Sequence, residues 1–466
     1  MQAAVTPSSS SPYSPTRQNL IVATLAFAGM GGSFMQTILI PIQGELPRLL
    51  DAPAGDTAWV ITATLLAGSV CTPIAGKLGD MFGKRKVAIA LMLLLILGSL
   101  VCLFSSGLMP LILGRTLQGA GMGVIPLGIS MLRDVVEPLK LGTSIALVSG
   151  TLGVGGAIGL PLSAVVTQNF DWHMLFVMAA VISSISLALI VIVVPKSNVR
   201  AGGRIDFLGA IGLAIGLVGL LLAVSQGNRW GWTSTPTLAS IAIGLVAFAA
   251  WSWHELRVTN PLVDLRVSAR PAVLLTNLAS IAMGFALFSS SVAFPQLLGL
   301  PVAVGGLGIE LLSASLVLMP AGLAMLAMSP ISGRIARRMG SRPLLIAGAL
   351  VIAFAYAICI VVPLNLWLIA IINTIIGIGI GLGYAAMPSL IMAAVPRSET
   401  AAANGINALM RSLGTTSAAA IVGAILAGAA AAGNPAGSFG IVFILGLLAA
   451  ALCAAIGCFI PKPVRA

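Results

Sequence analysis

The residues of this chain able to do chemistry are the few charges that interrupt its long apolar runs. Asp80 stands within Gly76-Lys77-Leu78-Gly79-Asp80-Met81-Phe82-Gly83-Lys84-Arg85-Lys86, a basic stretch between two such runs. Arg115 and Arg411 fall inside apolar runs, while Asp134 and Glu310 fall at the ends of others. A charge at the centre of a bilayer costs about 3 kcal/mol unless it faces water, backbone carbonyls or a partner. Residues of this kind serve ion pairing, proton carriage or substrate binding inside a membrane. Bond-making chemistry has no comparable constellation: there is no H-E-x-x-H, G-x-S-x-G or Walker A loop and no close His/Asp/Glu cluster, which argues against a membrane enzyme. No cofactor or metal site is expected.

The elements that must position these charges follow from composition. Of 466 residues, 58% are hydrophobic and 8% charged, and the mean hydropathy is +1.09. Soluble domains carry about 25% charged residues, so this is a polytopic membrane protein. Crossing a bilayer takes about 20 apolar helical residues. Runs suited to this lie at about 20–42, 58–75, 87–106, 109–132, 141–166, 172–194, 207–224, 237–253, 273–294, 310–328, 343–362, 366–394, 401–428 and 438–460. Polar stretches at 195–204, with Lys196, Arg200 and Arg204, and at 254–270 divide them into six, two and six. The expected organisation is a disordered cytoplasmic tail over 1–19, a six-helix half over 20–194 and a linker with two extra helices over 195–270. A second six-helix half over 271–460 and a short cytoplasmic tail over 461–466 complete it. The first run is too long and lacks the basic start of a cleaved signal peptide, so it reads as a membrane helix.

Charge sets the orientation. Of the 24 Lys and Arg residues, Arg48 and Arg229 fall in loops on one side, Arg115 and Arg411 within runs, and the other twenty on the opposite side. Lys and Arg are retained in the cytoplasm, which with the even helix count predicts that both termini are cytoplasmic; the plasma membrane is the expected location. The net charge of +12 is therefore a topology signal, and no nucleic-acid partner is expected. Trp251 and Trp253, with Trp230 and Trp232 at the other end, fit interfacial anchors. The five cysteines all lie inside apolar runs and read as packing residues.

The two halves repeat. Adding 257 carries Gly76 to Gly333, Gly79 to Ala336, Asp80 to Arg337, Gly83 to Gly340 and Arg85 to Arg342. Arg337 thus stands where the first copy has an acid. This is the pattern of two halves related by an axis normal to the membrane.

The stretch from Gly76 to Lys86 resembles the loop G-x-L-a-D-r-x-G-r-k between helices 2 and 3 of the major facilitator superfamily. Gly76, Leu78, Asp80, Gly83, Arg85 and Lys86 match, and Met81 departs at a usually basic position. The resemblance implies a conformational clamp joining the halves in one state, assigned to Gly76, Asp80, Gly83, Lys84 and Arg85 and, in the second copy, Gly333, Arg337 and Gly340. Gly114-Arg115-Thr116-Leu117-Gln118-Gly119 resembles the R-x-x-q-G pattern of helix 4. Arg115, about 9 Å from the outer end of its helix, either snorkels to the headgroups or serves, with Gln118, as a buried coupling group. Helix 5 carries Gly150, Gly153, Gly155, Gly156, Gly159 and Pro161, which resemble the glycine-proline motif of export-type members, where the helix bends against its neighbour across the pseudo-axis, with packing assigned to Gly155, Gly159 and Pro161. Leu160 departs by separating Gly159 from Pro161, and Ser163-Ala164 stands near where paired glycines are usual; a plain packing face is the other reading. The plan of six, two and six helices narrows the resemblance to the 14-helix drug:proton antiporter family. Asn260-Pro261-Leu262-Val263-Asp264-Leu265-Arg266, Trp172-His173 with Phe176, and the stretch from Asn404 to Gly414 resemble its connector, helix 6 and helix 13.

The expected fold is an all-α polytopic membrane protein with the major facilitator fold: two six-helix halves plus two extra central helices. The expected function is secondary active export of lipophilic small molecules by proton antiport, carried out by a monomer in the lipid bilayer. Import of a small metabolite and a non-transporting sensor are the competing readings. Arg115, Gln118, Arg411, Glu310 and Asp134 are assigned to the coupling or substrate cavity. Arg411 lies about 15 Å from the inner end of its helix. Relatives in the antiporter family that expel cations carry a carboxylate in helix 1, whereas the corresponding stretch here, Ser33-Phe34-Met35-Gln36-Thr37-Ile38, is uncharged, so the resemblance implies a neutral or anionic substrate. Glu310 is either a proton carrier or a helix N-terminal residue favoured by the dipole. His173 and His254 read as edge residues.

Overall fold

The computed structural model describes residues 13–40, 42–43, 45–196, 206–431 and 436–461. Among them, fourteen helical spans are long and apolar enough to cross a membrane. The first half contains α1 (Pro15–Thr37), α2 (Trp59–Phe82), α3 (Lys84–Leu103), α4 in two segments (Leu108–Gly121 and Val124–Val135), α5 (Pro138–Asn169) and α6 (Met174–Val193). Then come α7 (Phe207–Trp230) and α8 (Thr235–Glu255). The second half contains α9 (Pro271–Gly299), α10 in two segments (Leu311–Ala327 and Ser329–Met339), α11 (Ser341–Val361), α12 (Leu366–Ala394), α13 (Thr400–Ala431) and α14 (Phe439–Phe459).

Local chemistry explains where the helices start earlier than the apolar runs. α1 begins at Pro15, not residue 20, because Ser14 accepts from the Arg17 amide and proline fits the first helical turn. The tail expected through residue 19 is therefore helical from Pro15 onward, while residues 1–12 lie outside the described residues. So do Arg200 and Arg204 of the polar break and residues 462–466 of the C-terminal tail.

The stretch from Gly76 to Lys86 is also more helical than a hairpin loop. Gly76–Phe82 completes α2 and Lys84 opens α3, with only Gly83 between them at φ 100° and ψ 124°. Gly340, at φ 85°, makes the same one-residue break between α10 and α11. A side chain at such positive φ is strained, which is why glycine occupies both corners.

Two apolar cores result. One gathers buried residues of α1 to α6, including Leu25, Met35, Met92, Leu127 and Phe176. The other gathers residues of α9 to α14, including Met283, Phe294, Ile352, Tyr356 and Phe443. Equivalent cations close each half: Arg85 donates to the carbonyl of Val191 near the end of α6, and Arg342 to that of Cys458 near the end of α14. A third cluster docks α7 and α8 on the line where the halves meet. Leu213, Leu217 and Leu221 of α7 pack with Ile406 and Leu409 of α13 and with Leu66 and Val70 of α2. The remaining face of α8 exposes Ile243, Leu245 and Val246, as expected of a helix turned toward lipid.

Candidate functional site

At the Lys/Arg-rich end, called here the basic end, the last turn of α2 meets the first turn of α13. Asp80 accepts from the backbone amides of Ala401 (3.3 Å) and Ala402 (2.8 Å), placing a carboxylate on the N-terminus of α13. Close approach is possible because Gly76 has no Cβ; one there would run into the Ala401 carbonyl. Lys84 is fully buried and its ammonium collects four oxygens: Asp134 Oδ2 at 2.9 Å, Thr400 Oγ1 at 3.0 Å, the Ser130 carbonyl at 3.4 Å and Asp80 Oδ1 at 4.0 Å. Arg133 adds a bond across the same boundary to the Val395 carbonyl at 3.0 Å. The site can hold two helices from opposite halves together and release them when one charge changes.

Asp134 therefore sits in this gate, not in a cavity, because the inner end of α4 lies against the first turn of α3. The second copy of the motif behaves differently. Gly333 lies against Thr143 of α5, and Arg337 donates to the Leu139 carbonyl at 3.0 Å. The two seams are thus closed by opposite charges.

Arg115 does not snorkel. It is 1% exposed and donates to the Met35 carbonyl at 3.0 Å, Gln118 Oε1 at 2.7 Å and the Val60 carbonyl at 3.4 Å. Gln118 passes the network on to Ser99 Oγ at 2.8 Å. Carbonyls and an amide, with no carboxylate within ion-pair distance among the described residues, carry this cation. Arg411 is half-buried in α13, with its guanidinium 4.8 Å from the Tyr384 ring centroid, a cation–π placement. Beside it, Asn407 donates to Asn277 Oδ1 (3.0 Å) and Ser280 Oγ (2.8 Å), tying α13 to α9. Sequence reading passed over Asn277 and Ser280, whose only signal was polarity inside an apolar run.

Glu310 does not enter the interior. It is the exposed residue preceding α10, with an extended backbone and no side-chain capping bond among the described residues. The helix-5 glycines divide by face. Gly155 and Gly159 lie against α1, at Ser33 and Thr37, within the same half, whereas Gly150 and Gly153 lie against Ser329 and Met325 of α10 in the other half. The contact across the pseudo-axis thus belongs to the latter pair, and Pro161, inside α5, follows the α1-facing stretch. His173 sits outside the spans: its ring meets Asp171 Oδ1 at 2.6 Å and the Ser105 carbonyl at 3.0 Å. Its backbone amide, and after it the imidazole, hold the Asp171 carboxyl below its usual range. His254 lies within 3.0 Å of both Asp206 oxygens, at the basic end of the α7–α8 hairpin. Asp264 of the connector accepts from the amides of Arg266 and Val267, capping a short helix.

Comparison with known proteins places this geometry in a family. The sequence model of the Major Facilitator Superfamily matches residues 22–419. An uncharacterised transporter of this type from Bacillus subtilis, YhcA, is 28% identical over 327 residues, covering 69% of this chain and 60% of that one. The match thus spans less than two thirds of that relative's length. The lincomycin resistance protein LmrB of Listeria monocytogenes is 26% identical, covering 78% of this chain and 76% of its own. The multidrug transporter protein MdtP of Bacillus subtilis is 23% identical, covering 87% and 74%. In three dimensions the chain is similar to the proton:xylose symporter XylE, with a TM-score of 0.69 at 16% identity, covering 96% of this chain and 97% of that one.

Proposed function

The chain belongs to the Major Facilitator Superfamily and is a membrane transporter of that family; on that premise we propose that it exports lipophilic small molecules by proton antiport with alternating access. The observation that carries the reading is the gate centred on Lys84. Lys84, Asp80 and Asp134 form a buried cluster within the first half, and the bonds from Lys84 to Thr400 and from the Ala401 and Ala402 amides to Asp80 tie that cluster to the start of α13, from which it must part for the basic end to open. Buried pairs of this kind are strongly destabilised when one partner loses its charge, so protonation of Asp80 or Asp134 releases the gate. All twelve Asp and Glu residues stand near the ends of spans or in the connections between them, which leaves the gate as the coupling site of choice. Glu310 is not retained as proton carrier.

Direction and substrate rest on other support. Export agrees with the resistance and multidrug names of LmrB and MdtP. Arg115 and Arg411 stand within spans whose acids lie near the ends, and like charges repel strongly where the dielectric is low. The substrate is therefore neutral or anionic. The protein works as a monomer in the plasma membrane, with the basic end and both termini cytoplasmic.

The test uses purified protein in liposomes of known orientation, with an imposed pH gradient and a panel of neutral, anionic and dicationic dyes. Gradient-driven movement of neutral or anionic dyes out of the compartment facing the basic end is expected. Movement of a small metabolite toward that compartment supports the importer instead, and gradient-independent behaviour of every compound overturns coupled transport.

A further inference from the structure

We propose that the groove between α1, α5 and the second segment of α10, at the basic end, binds the headgroup of an anionic phospholipid. The groove measures about 390 Å³, and Lys140, Arg334 and Arg337 line it together with Asn19 and Thr143. Its apolar wall includes Val22, Val136 and Leu147. Cations and hydroxyls together with apolar side chains in one groove match a glycerophosphate continuing into acyl chains. At about 30 Å³ per water, the volume equals roughly thirteen waters, room for the ten or so heavy atoms of a glycerophosphate.

The argument for an anion comes from the asymmetry of the repeat. At the α2–α13 seam, Asp80 supplies negative charge to the N-terminus of α13. At the α5–α10 seam the equivalent position is Arg337, and its guanidinium reaches the Leu139 carbonyl in the first turn of α5. A cation beside a helix N-terminus adds to the positive end of the dipole. Arg334 adds a further charge, and Lys140 one that it shares with Glu137. The acid beside them, Glu137, is already engaged by Lys140 at 3.5 Å and by Gln18 at 3.2 Å. An external phosphate supplies here what the Asp80 carboxylate supplies at the other seam. Arginine forks match its oxygens in pairs, whereas the choline of a zwitterionic lipid is repelled. Because α1 and α5 belong to one half and α10 to the other, the bound lipid bridges the halves and favours the closed basic end.

The inference goes beyond the transport reading, and its test reads binding without transport. Detergent-purified full-length protein is offered equal amounts of phosphatidylglycerol and phosphatidylcholine, and retained lipid is counted by native mass spectrometry. Preferential retention of phosphatidylglycerol is expected. Each basic residue near an anionic headgroup contributes about fivefold in binding, so Arg334→Gln with Arg337→Gln lowers retention by about 25-fold. Arg338→Gln, which removes one charge from the same segment at a position that does not line the groove, keeps the parental retention, whereas Arg337→Gln alone lowers it about fivefold. Equal retention of both lipids by the parental protein overturns the proposal, whether or not the double variant folds. A loss in Arg338→Gln as large as in the double variant overturns it in favour of diffuse surface charge. Displacement of the lipid by millimolar glycerol 3-phosphate overturns it in favour of a free-anion site.

Discussion

Replacing Lys84 by methionine removes the one cation between two buried carboxylates while keeping most of the side-chain volume. Its ammonium lies 2.9 Å from Asp134 Oδ2 and 4.0 Å from Asp80 Oδ1. At an effective dielectric of 20 these distances correspond to attractions of about 6 and about 4 kcal/mol before desolvation. Burial of the ions offsets much of that, and removing one partner of a buried pair costs about 3–5 kcal/mol because the other charge is left bare. Applied to the equilibrium between the closed and open basic end, this is a shift of about 2 to 3.5 powers of ten. Spin labels on Phe82 and Arg397, both exposed and flanking the seam, in a background with Cys71 and Cys458 replaced by serine, report the distance. The parental protein is expected to show a short, narrow distribution and Lys84→Met a long, broad one. Adding Asp134→Asn to Lys84→Met should restore part of the short population, since it removes a carboxylate that has lost its partner. An unchanged distribution in Lys84→Met, or a deeper defect on adding Asp134→Asn, refutes the reasoning.

Three further outcomes are expected. Gly76→Ala places a Cβ on the Ala401 carbonyl; overpacking of backbone against backbone costs about 1–3 kcal/mol, so the same label pair should lengthen and a parental distance counts against the close approach. Arg115→Lys loses the fork that reaches Met35, Gln118 and Val60, and a loss of about 1–3 kcal/mol in stability is expected, read as a lower melting temperature in a fixed detergent. Arg411→Ala is expected to abolish transport in liposomes while Arg411→Lys retains part of it, as the charge over Tyr384 is kept; parental transport by the alanine variant would place Arg411 on a tolerant surface.

The number and order of the spanning helices were legible in the sequence because apolar length and the spacing of charges are properties of the local chain. Asp80, Gly83 and Lys84 could be singled out because the charges among them stand out against apolar runs and their spacing resembles the superfamily's loop. Their partners were not legible. Asp80 meets Ala401 across 321 positions, and no local pattern specifies a contact of that range. Helical periodicity assigns a residue to a face but not to a neighbour, which is why Gly155 and Gly159 turned out to face α1 while Gly150 and Gly153 face the other half. Whether Arg115 snorkels or is buried stayed open in the sequence until packing supplied inward carbonyls, and Asp134 looked like a cavity residue until the first turn of α3 brought Lys84 to it. The sequence determined which charges the membrane must accommodate; the tertiary structure alone decided where each finds its counter-dipole, because that depends on which helix ends are packed together.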